Sequence, residues 1–278
     1  MADSKDQRLR GELRARVGSF LAKDESPRRR ALLSTIERIR VRKWNAVLFG
    51  GTLRDLMVYG LSKPPRDVDL VIADVTTDEL ANVFADSMSK RTRFGGLHLR
   101  SGGWMFDVWP LSETWAFRQL GYPALRHDFA SLPRTTFLNV EAVAVEVATP
   151  HGKTRRIHSH GFFEALSNRT VEINFEDNPF PALCVVRSLV TAARLQFSIG
   201  PKLSQYLVHY SRIFSAEELV QVQISHYGYS KLSATEFRVW LAAVEDQYRA
   251  GAARAVGVRL PVAKSQQLEL FRDRIPAW

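Results

Sequence analysis

The 278-residue sequence has a single cysteine, Cys184, so no internal disulfide can staple the fold. No apolar run approaches the ~18 residues that a membrane span requires. The first ten residues, MADSKDQRLR, are too charged and polar for a secretory signal, which needs an apolar core. Internal repeats and low-complexity tracts are also missing, which sets aside solenoids, rods and collagen-like chains. These absences predict a soluble, cytoplasmic chain with no membrane partner. Lysine is scarce as well. Only nine of the 39 basic residues are Lys and thirty are Arg, and 29 acids leave a formal charge of +10. Arginine presents a planar fork that meets phosphate oxygens two at a time, where lysine is a point charge. Such a bias fits a polyanionic partner such as RNA or DNA, and it equally fits solvated arginines in an arginine-rich composition.

What is present reads as an ordered succession of elements. Residues 6–22 and 27–41 have helical patterning, the second preceded by Ser26-Pro27, a cap followed by proline at the first helical position. The two stretches carry Arg8, Arg10, Arg14, Arg16, Arg28-Arg29-Arg30, Arg38, Arg40 and Arg42. That array is either a phosphate-tracking surface or a solvated helical face. Asn45–Phe49 reads as a short buried strand stopped by Gly50-Gly51. Thr52 then caps a helix that runs to Tyr59 and ends at Gly60. Residues 67–73 alternate as a strand, 76–90 as a helix, and 94–109 as a hairpin turning at Ser101-Gly102-Gly103. A second hairpin is expected over 140–158, turning at Pro150-His151-Gly152. From 161 onward the pattern is helical, near 161–168, 179–196, 202–213, 216–225 and 233–250, and Leu260–Trp278 has no assignment. The fold class is α+β: a small mixed sheet with helices on it, followed by an all-helical C-terminal module.

The chemistry concentrates in three places. Gly50-Gly51 lies between a strand and a helix, where backbone can approach a ligand and the helix N-terminus offers N–H groups to a phosphate. Arg54 stands in the first turn of that helix. Asp67 and Asp69, two apart on a strand, share one face, and repel unless a cation or a basic group lies between them. Asp107 interrupts an apolar strand between Phe106 and Val108. If its strand neighbours that of Asp67 and Asp69, three hard oxygen ligands converge, the set that suits Mg²⁺ or Mn²⁺ and in-line displacement at phosphorus. The seven histidines, His158 and His160 among them, lack cysteine partners for zinc and read as ordinary polar residues. Trp104 and Trp109 flank Asp107 and read first as sheet packing, second as a stacking platform for a base.

The run Phe49–Gly60, with Arg54-Asp55 inside it, continues through Pro65-Arg66-Asp67-Val68-Asp69-Leu70-Val71. This resembles the head-domain signature of the class II tRNA nucleotidyltransferases, which comprise CCA-adding enzymes and bacterial poly(A) polymerases within the polymerase-β-like superfamily. That pattern is roughly G-G-x-V-R-D-x-L-L-G, a short spacer, then D-x-D-L. Phe94-Gly95-Gly96 and Met105-Phe106-Asp107-Val108 are similar to the family hairpin whose second strand carries an acid. Arg134-Thr135-Thr136-Phe137-Leu138-Asn139 resembles R-R-D-F-T-I-N, with Pro133 at the first arginine and Thr135 at the aspartate. Ile157–Leu166 is similar to the I-D-P-x-G-G…D-L turn, with His158 at the aspartate. The stretch from Asp177 resembles the neck motif E-D-P-x-R-x-L-R-x-x-R-F, but Asn178 stands at the acid, Pro181 at the templating arginine and Cys184 at the second. Only Arg187 is kept.

The resemblance covers residues 45–200 and implies a division into N-terminal basic helices (1–44), a nucleotidyltransferase head (45–160) and a helical neck and C-terminal domain (161–278). It implies metal-dependent, template-independent transfer of NMP from an NTP, ATP or CTP, to an RNA 3′ end, that of a tRNA. Asp67, Asp69 and Asp107 would be the catalytic and Mg²⁺- or Mn²⁺-holding acids. Gly50, Gly51, Thr52, Arg54, Arg134, Asn139 and Arg187 would surround the nucleotide. Proline and cysteine cannot make a bidentate contact to a base edge, so the base choice would be altered or relaxed, as in a toxin or defence enzyme. Three other outcomes are compatible with the same residues: a degenerate head domain that binds RNA without catalysis, a nucleotidyltransferase acting on protein, or one making a nucleotide messenger. Oligomeric state leaves no signature.

Overall fold

The computed structural model describes residues 2–22, 26–118, 126–148, 155–251 and 258–260. The chain divides into two compact units, Met1–Leu166 and Ser167–Trp278. In chain order the first contains α1 (Ala2–Phe20), α2 (Pro27–Val41), β1 (Ala46–Phe49), α3 (Gly51–Tyr59), β2 (Asp67–Ile72), α4 (Thr77–Val83), β3 (Met88–Arg91), β4 (Leu97–Ser101), β5 (Trp104–Pro110), β6 (Val143–Ala148) and β7 (Ile157–Ser159). Helix α5 (Phe162–Asn168) runs across the boundary. The two basic helices thus fall inside the first unit.

The seven strands form one sheet in the order β3-β4-β5-β2-β1-β6-β7. Every pairing is antiparallel except β2 with β5. Strand alternation separates two faces. On one, Leu48, Leu70, Phe106 and Val145 meet the apolar stripes of the helices, such as Leu13, Val17 and Phe20 of α1 and Leu32, Ile36 and Ile39 of α2. Those stripes recur at the i, i+4, i+7 spacing of an amphipathic helix. Burying each such side chain contributes about 1.5–3 kcal/mol, so packing, more than propensity, keeps the arginine-rich helices in place. Ser26 caps α2 by accepting the Arg29 N–H, with Pro27 at the first helical position as expected.

The arginines of α1 and α2 are largely spent on the protein itself. Arg10 bridges Asp6 and reaches Ser159, Arg16 donates to the Leu56 carbonyl, and Arg29 donates to the Ser19 and Phe20 carbonyls. Arg38 forks onto Asp86 through two bonds of 2.6 Å, and Arg28 stacks 4.1 Å over Trp104. The array, open in sequence between a phosphate-tracking surface and a solvated face, is therefore mostly a set of internal staples. Arg8 and Arg30 stay exposed.

The helix expected over 76–90 ends at Val83. A reciprocal capping box between Thr76 and Glu79 starts it, and the chain then turns into the edge strand β3. Lys90 and Arg91 make this short edge charged, which discourages pairing with another chain. The 94–109 hairpin is present, and α2 packs on its turn so closely that a Cβ at Gly102 would sit 2.5 Å from the Ala31 Cβ. Strands β6 and β7 pair as the second hairpin, whose expected turn at Pro150-His151-Gly152 lies outside the described residues.

The second unit holds β8 (Thr170–Val171), α6 (Pro181–Leu195), β9 (Ser198–Ile199), α7 (Pro201–Tyr210), α8 (Ala216–Tyr227) and α9 (Ala234–Arg249). It is helical as expected, with one correction: β8 and β9 form a two-residue parallel ribbon. Glu172, next to β8, accepts the backbone N–H groups of Lys202 and Leu203 in the first turn of α7. That bond ties the ribbon to a helix N-terminus, where a carboxylate is favoured. Among the described residues, no helix is long and apolar enough to cross a membrane.

Candidate active site

The candidate site lies on the second face of the sheet. Asp67 and Asp69 project there from the start of β2, opposite in direction to the buried Val68 and Leu70. Strand β5 runs beside β2 in parallel, with Asp69 and Asp107 as direct register partners. Adjacent strands are about 4.8 Å apart, so the backbone brings these two acids side by side. The order β1–α3–β2 then sets the Gly50-Gly51 turn against them. Gly50 has φ +60°, a conformation glycine adopts freely, and a Cβ there would lie 3.9 Å from Asp69 Oδ2. Thr52 is buried and fastens the turn to β2: its hydroxyl accepts the Asp69 N–H at 3.0 Å and lies 3.3 Å from the Asp67 carbonyl.

Each outer acid meets a basic neighbour. Arg66 donates to Asp67 through Nε at 2.7 Å, and His98 on β4 donates through Nδ1 to Asp107. His98 is the register partner of Asp107 across the hairpin. It read in sequence as an ordinary polar histidine. Counting outward from the Ser101–Trp104 pair at the turn places the two opposite one another, so the signal was there to be found. The three carboxylates fit a hard divalent cation by donor type and by shared face. Their side chains are not drawn together, however. Among the described residues, no three His, Cys, Asp or Glu side chains form a ready metal cluster.

Arg54 is held between two carboxylates. It is 6% exposed, with Nε bonded to Asp55 at 2.8 Å and Nη1 to Glu141 at 2.5 Å. Burial works against its charge, and Asp55 and Glu141 more than offset that, so its pKa stands above the ordinary arginine value. A guanidinium held this way braces the start of α3 against the 139–141 turn, and its Nη2 lies 3.3 Å from where a Cβ at Gly51 would stand. Glu141 carried no local signal, since its partner is 87 residues away in sequence.

The remaining expected residues are dispersed. Asn139 begins the 3₁₀ turn that ends at Glu141, so the Arg54–Glu141 pair holds its segment next to the Gly50-Gly51 turn. Arg134 is exposed on the 3₁₀ turn Leu132–Thr135. Arg187 is half-buried on α6, in the second unit. Of the two tryptophans, Trp104 packs in the helix-covered core, edge-on to Phe20. Trp109 lies on the acid-bearing face, edge-on to Phe49.

No family model and no curated protein matches the sequence. Solved structures do. The Bacillus stearothermophilus CCA-adding enzyme in complex with CTP aligns with a TM-score of 0.52 at 19% identity, covering 78% of this chain and 52% of that one. A tRNA nucleotidyltransferase complexed with a primer tRNA and an incoming ATP analog aligns with a TM-score of 0.51 at 16% identity, covering 86% and 67%. The chain thus spans about half the length of the first and two thirds of the second. These likenesses extend over most of the chain, and its fold is class II tRNA nucleotidyltransferase-like.

Proposed function

We propose that this protein is a metal-dependent, template-independent nucleotidyltransferase that moves NMP from an NTP to the 3′ end of an RNA, that of a tRNA, with release of pyrophosphate. The observation that carries the reading is the parallel register of Asp69 with Asp107, with Asp67 on the same face and the Gly50-Gly51 turn alongside. Asp67, Asp69 and Asp107 would hold Mg²⁺ or Mn²⁺. Such ions neutralise charge on the transferring phosphoryl group and lower the pKa of an attacking hydroxyl. The N–H groups at the start of α3 would receive the triphosphate, a role suited to a helix N-terminus of this length. Asp107 would orient the acceptor hydroxyl, and His98 would fix the carboxylate that does so. Asn139 and Arg134 would flank the nucleotide. Arg54 supports the turn from behind.

Base choice would differ from C-C-A addition. Pro181 opens α6 and Cys184 is buried at 3%, and neither residue type supplies a bidentate contact to a base edge. Altered ends disable a tRNA, the mode of action of a toxin or defence enzyme. Sequencing the 3′ ends of tRNA incubated with the protein, Mg²⁺ and all four NTPs tests activity and base choice together. Transfer is expected in the wild type and a loss of about 10²–10³-fold in Asp69→Asn, the range seen when a single electrostatic stabiliser is removed. Transfer unchanged in Asp69→Asn would sink the proposal. A binding-only head domain has one observation in its favour, because Arg66 and His98 already occupy Asp67 and Asp107 as hydrogen-bond partners. Calorimetry separates the two readings: the binding-only protein shows no Mg²⁺-dependent NTP affinity.

A further inference from the structure

The acid-bearing face of the sheet is covered over only part of its width. Leu111, Phe117 and Leu132 pack there on Val47 of β1, Val71 of β2 and Ala144 of β6. Beyond the acids, towards β4 and the edge strand β3, no described residue covers the face at Lys90, Arg100 and Met105, which are exposed. Met105, between Asp67 on β2 and Arg100 on β4 in register, is 38% exposed. The next row across the sheet reads Asp69, Asp107, His98, Lys90, passing from acid to base over four strands. The bulge that shifts the register between Met88 and Lys90 turns Met88 to the apolar core and sets Lys90 opposite His98. Arg91 pairs with Leu97 and is salt-bridged to Asp78 on α4, as its place on the helix-covered face requires. Lys90 and Arg100 are exposed, and among the described residues neither has an ion-pair partner.

We propose that Lys90 and Arg100 bind the phosphodiester backbone of the acceptor RNA strand, leading its 3′ end across Met105 to Asp107. The inference rests on the RNA-transferase reading of the site. A strand whose end lies at three carboxylates meets repulsion along their own strands, and across the sheet relief comes where the row changes from acid to base. Lys90 lies two strand spacings from Asp107, about 10 Å, within reach of a phosphate near the reacting end. Exposed Met105 gives a base or ribose a flat apolar contact between the charged rows. The N-terminal helices are the competing site for the same strand, but they lie on the opposite face of the sheet and most of their arginines are bonded internally.

The test is the affinity of a single-stranded RNA oligonucleotide, read by fluorescence anisotropy over a salt series without divalent cation. Three proteins are compared: wild type, Lys90→Ala/Arg100→Ala, and Arg8→Ala/Arg30→Ala. All four side chains are exposed, so melting curves should coincide. Removing two phosphate contacts to a single strand lowers the slope of log K against log salt by about 1.4. That drop is expected in the Lys90/Arg100 variant alone, with its affinity for free NTP unchanged. An unchanged slope, a drop in the Arg8/Arg30 variant instead, a matching fall in NTP affinity, or a wild type that ignores the strand at low salt would each overturn the proposal. Since the readout is binding, it stands apart from the transfer assay. A slope change without transfer breaks the enzymatic reading and keeps the strip. Transfer without a slope change does the reverse.

Discussion

The two faces of the seven-stranded sheet handle charge in opposite ways. Over the helix-covered face the charged groups sit on the outer sides of α1 and α2, and most of them close onto the protein's own carbonyls and carboxylates. The layer beneath is apolar, with Leu13, Ile36, Leu70 and Phe106 fully or almost fully buried. On the other face, acids rise directly from the strands at Asp67, Asp69 and Asp107, partly buried and next to a surface left uncovered among the described residues. One face carries the large apolar core, and the other combines a small apolar cluster with three acids. Their separation lets a chain of net charge +10 place three acids on one face while most arginines of α1 and α2 are bonded on the other.

Neighbours on β5 offer the strongest way to break that comparison. Phe106 faces the helices and is fully buried, whereas Asp107, the next residue, faces the other way and is half-exposed. Phe106→Ala should cost about 3–5 kcal/mol, the usual penalty for a large cavity in a core. Asp107→Asn should leave the melting temperature within a few degrees of the wild type while abolishing most transfer. Chemical denaturation of both variants, alongside the transfer assay, checks this. Equal destabilisation would show that the second face is also structural.

A smaller effect should follow at the brace between α3 and the 139–141 turn. Glu141→Leu keeps the Asp55 bond but leaves part of the buried Arg54 charge uncompensated, at a cost of about 3 kcal/mol. Because the brace supports the Gly50-Gly51 turn and Asn139 together, the variant should also weaken NTP binding measured by calorimetry. Full NTP affinity in a destabilised protein would confine Arg54 and Glu141 to folding.

How much of this was legible beforehand follows from which interactions are local. The Gly50-Gly51 turn, the D-x-D strand and the Ser101–Gly103 hairpin rest on neighbouring residues and could be read directly. The pairing of β2 with β5 could only be stated as a condition, since strand order is a long-range property. Arg54 was legible only in part: its position in the first turn of a helix fits a phosphate, and nothing near it in sequence shows Glu141. The arginines of α1 and α2 stayed ambiguous for a related reason: helical periodicity places them on the outer side of a helix without showing which backbone carbonyls lie within reach. Strand β3 was hidden by its polarity, as Ser-Lys-Arg carries no apolar alternation and an edge strand needs none.

The weakest expected effect tests whether the internal use of arginine contributes at all at the surface. Hydrogen bonding from Arg38 holds Asp86 down to about 2, below its ordinary 3.8, so the group binds its proton less readily in the folded protein. A carboxylate with a depressed folded-state pKa stabilises the fold at pH values above its unfolded pKa. That contribution fades as pH falls from about 4 towards 2. The side chains are 36% and 60% exposed, so screening keeps the pair below about 1 kcal/mol. Arg38→Ala should therefore lower the melting temperature slightly at pH 7 and flatten its fall between pH 4 and pH 2, with the difference shrinking in high salt. If the two melting curves respond identically to acid, this staple has no energetic weight, and α2 is held by its remaining contacts, led by the burial of Leu32, Ile36 and Ile39.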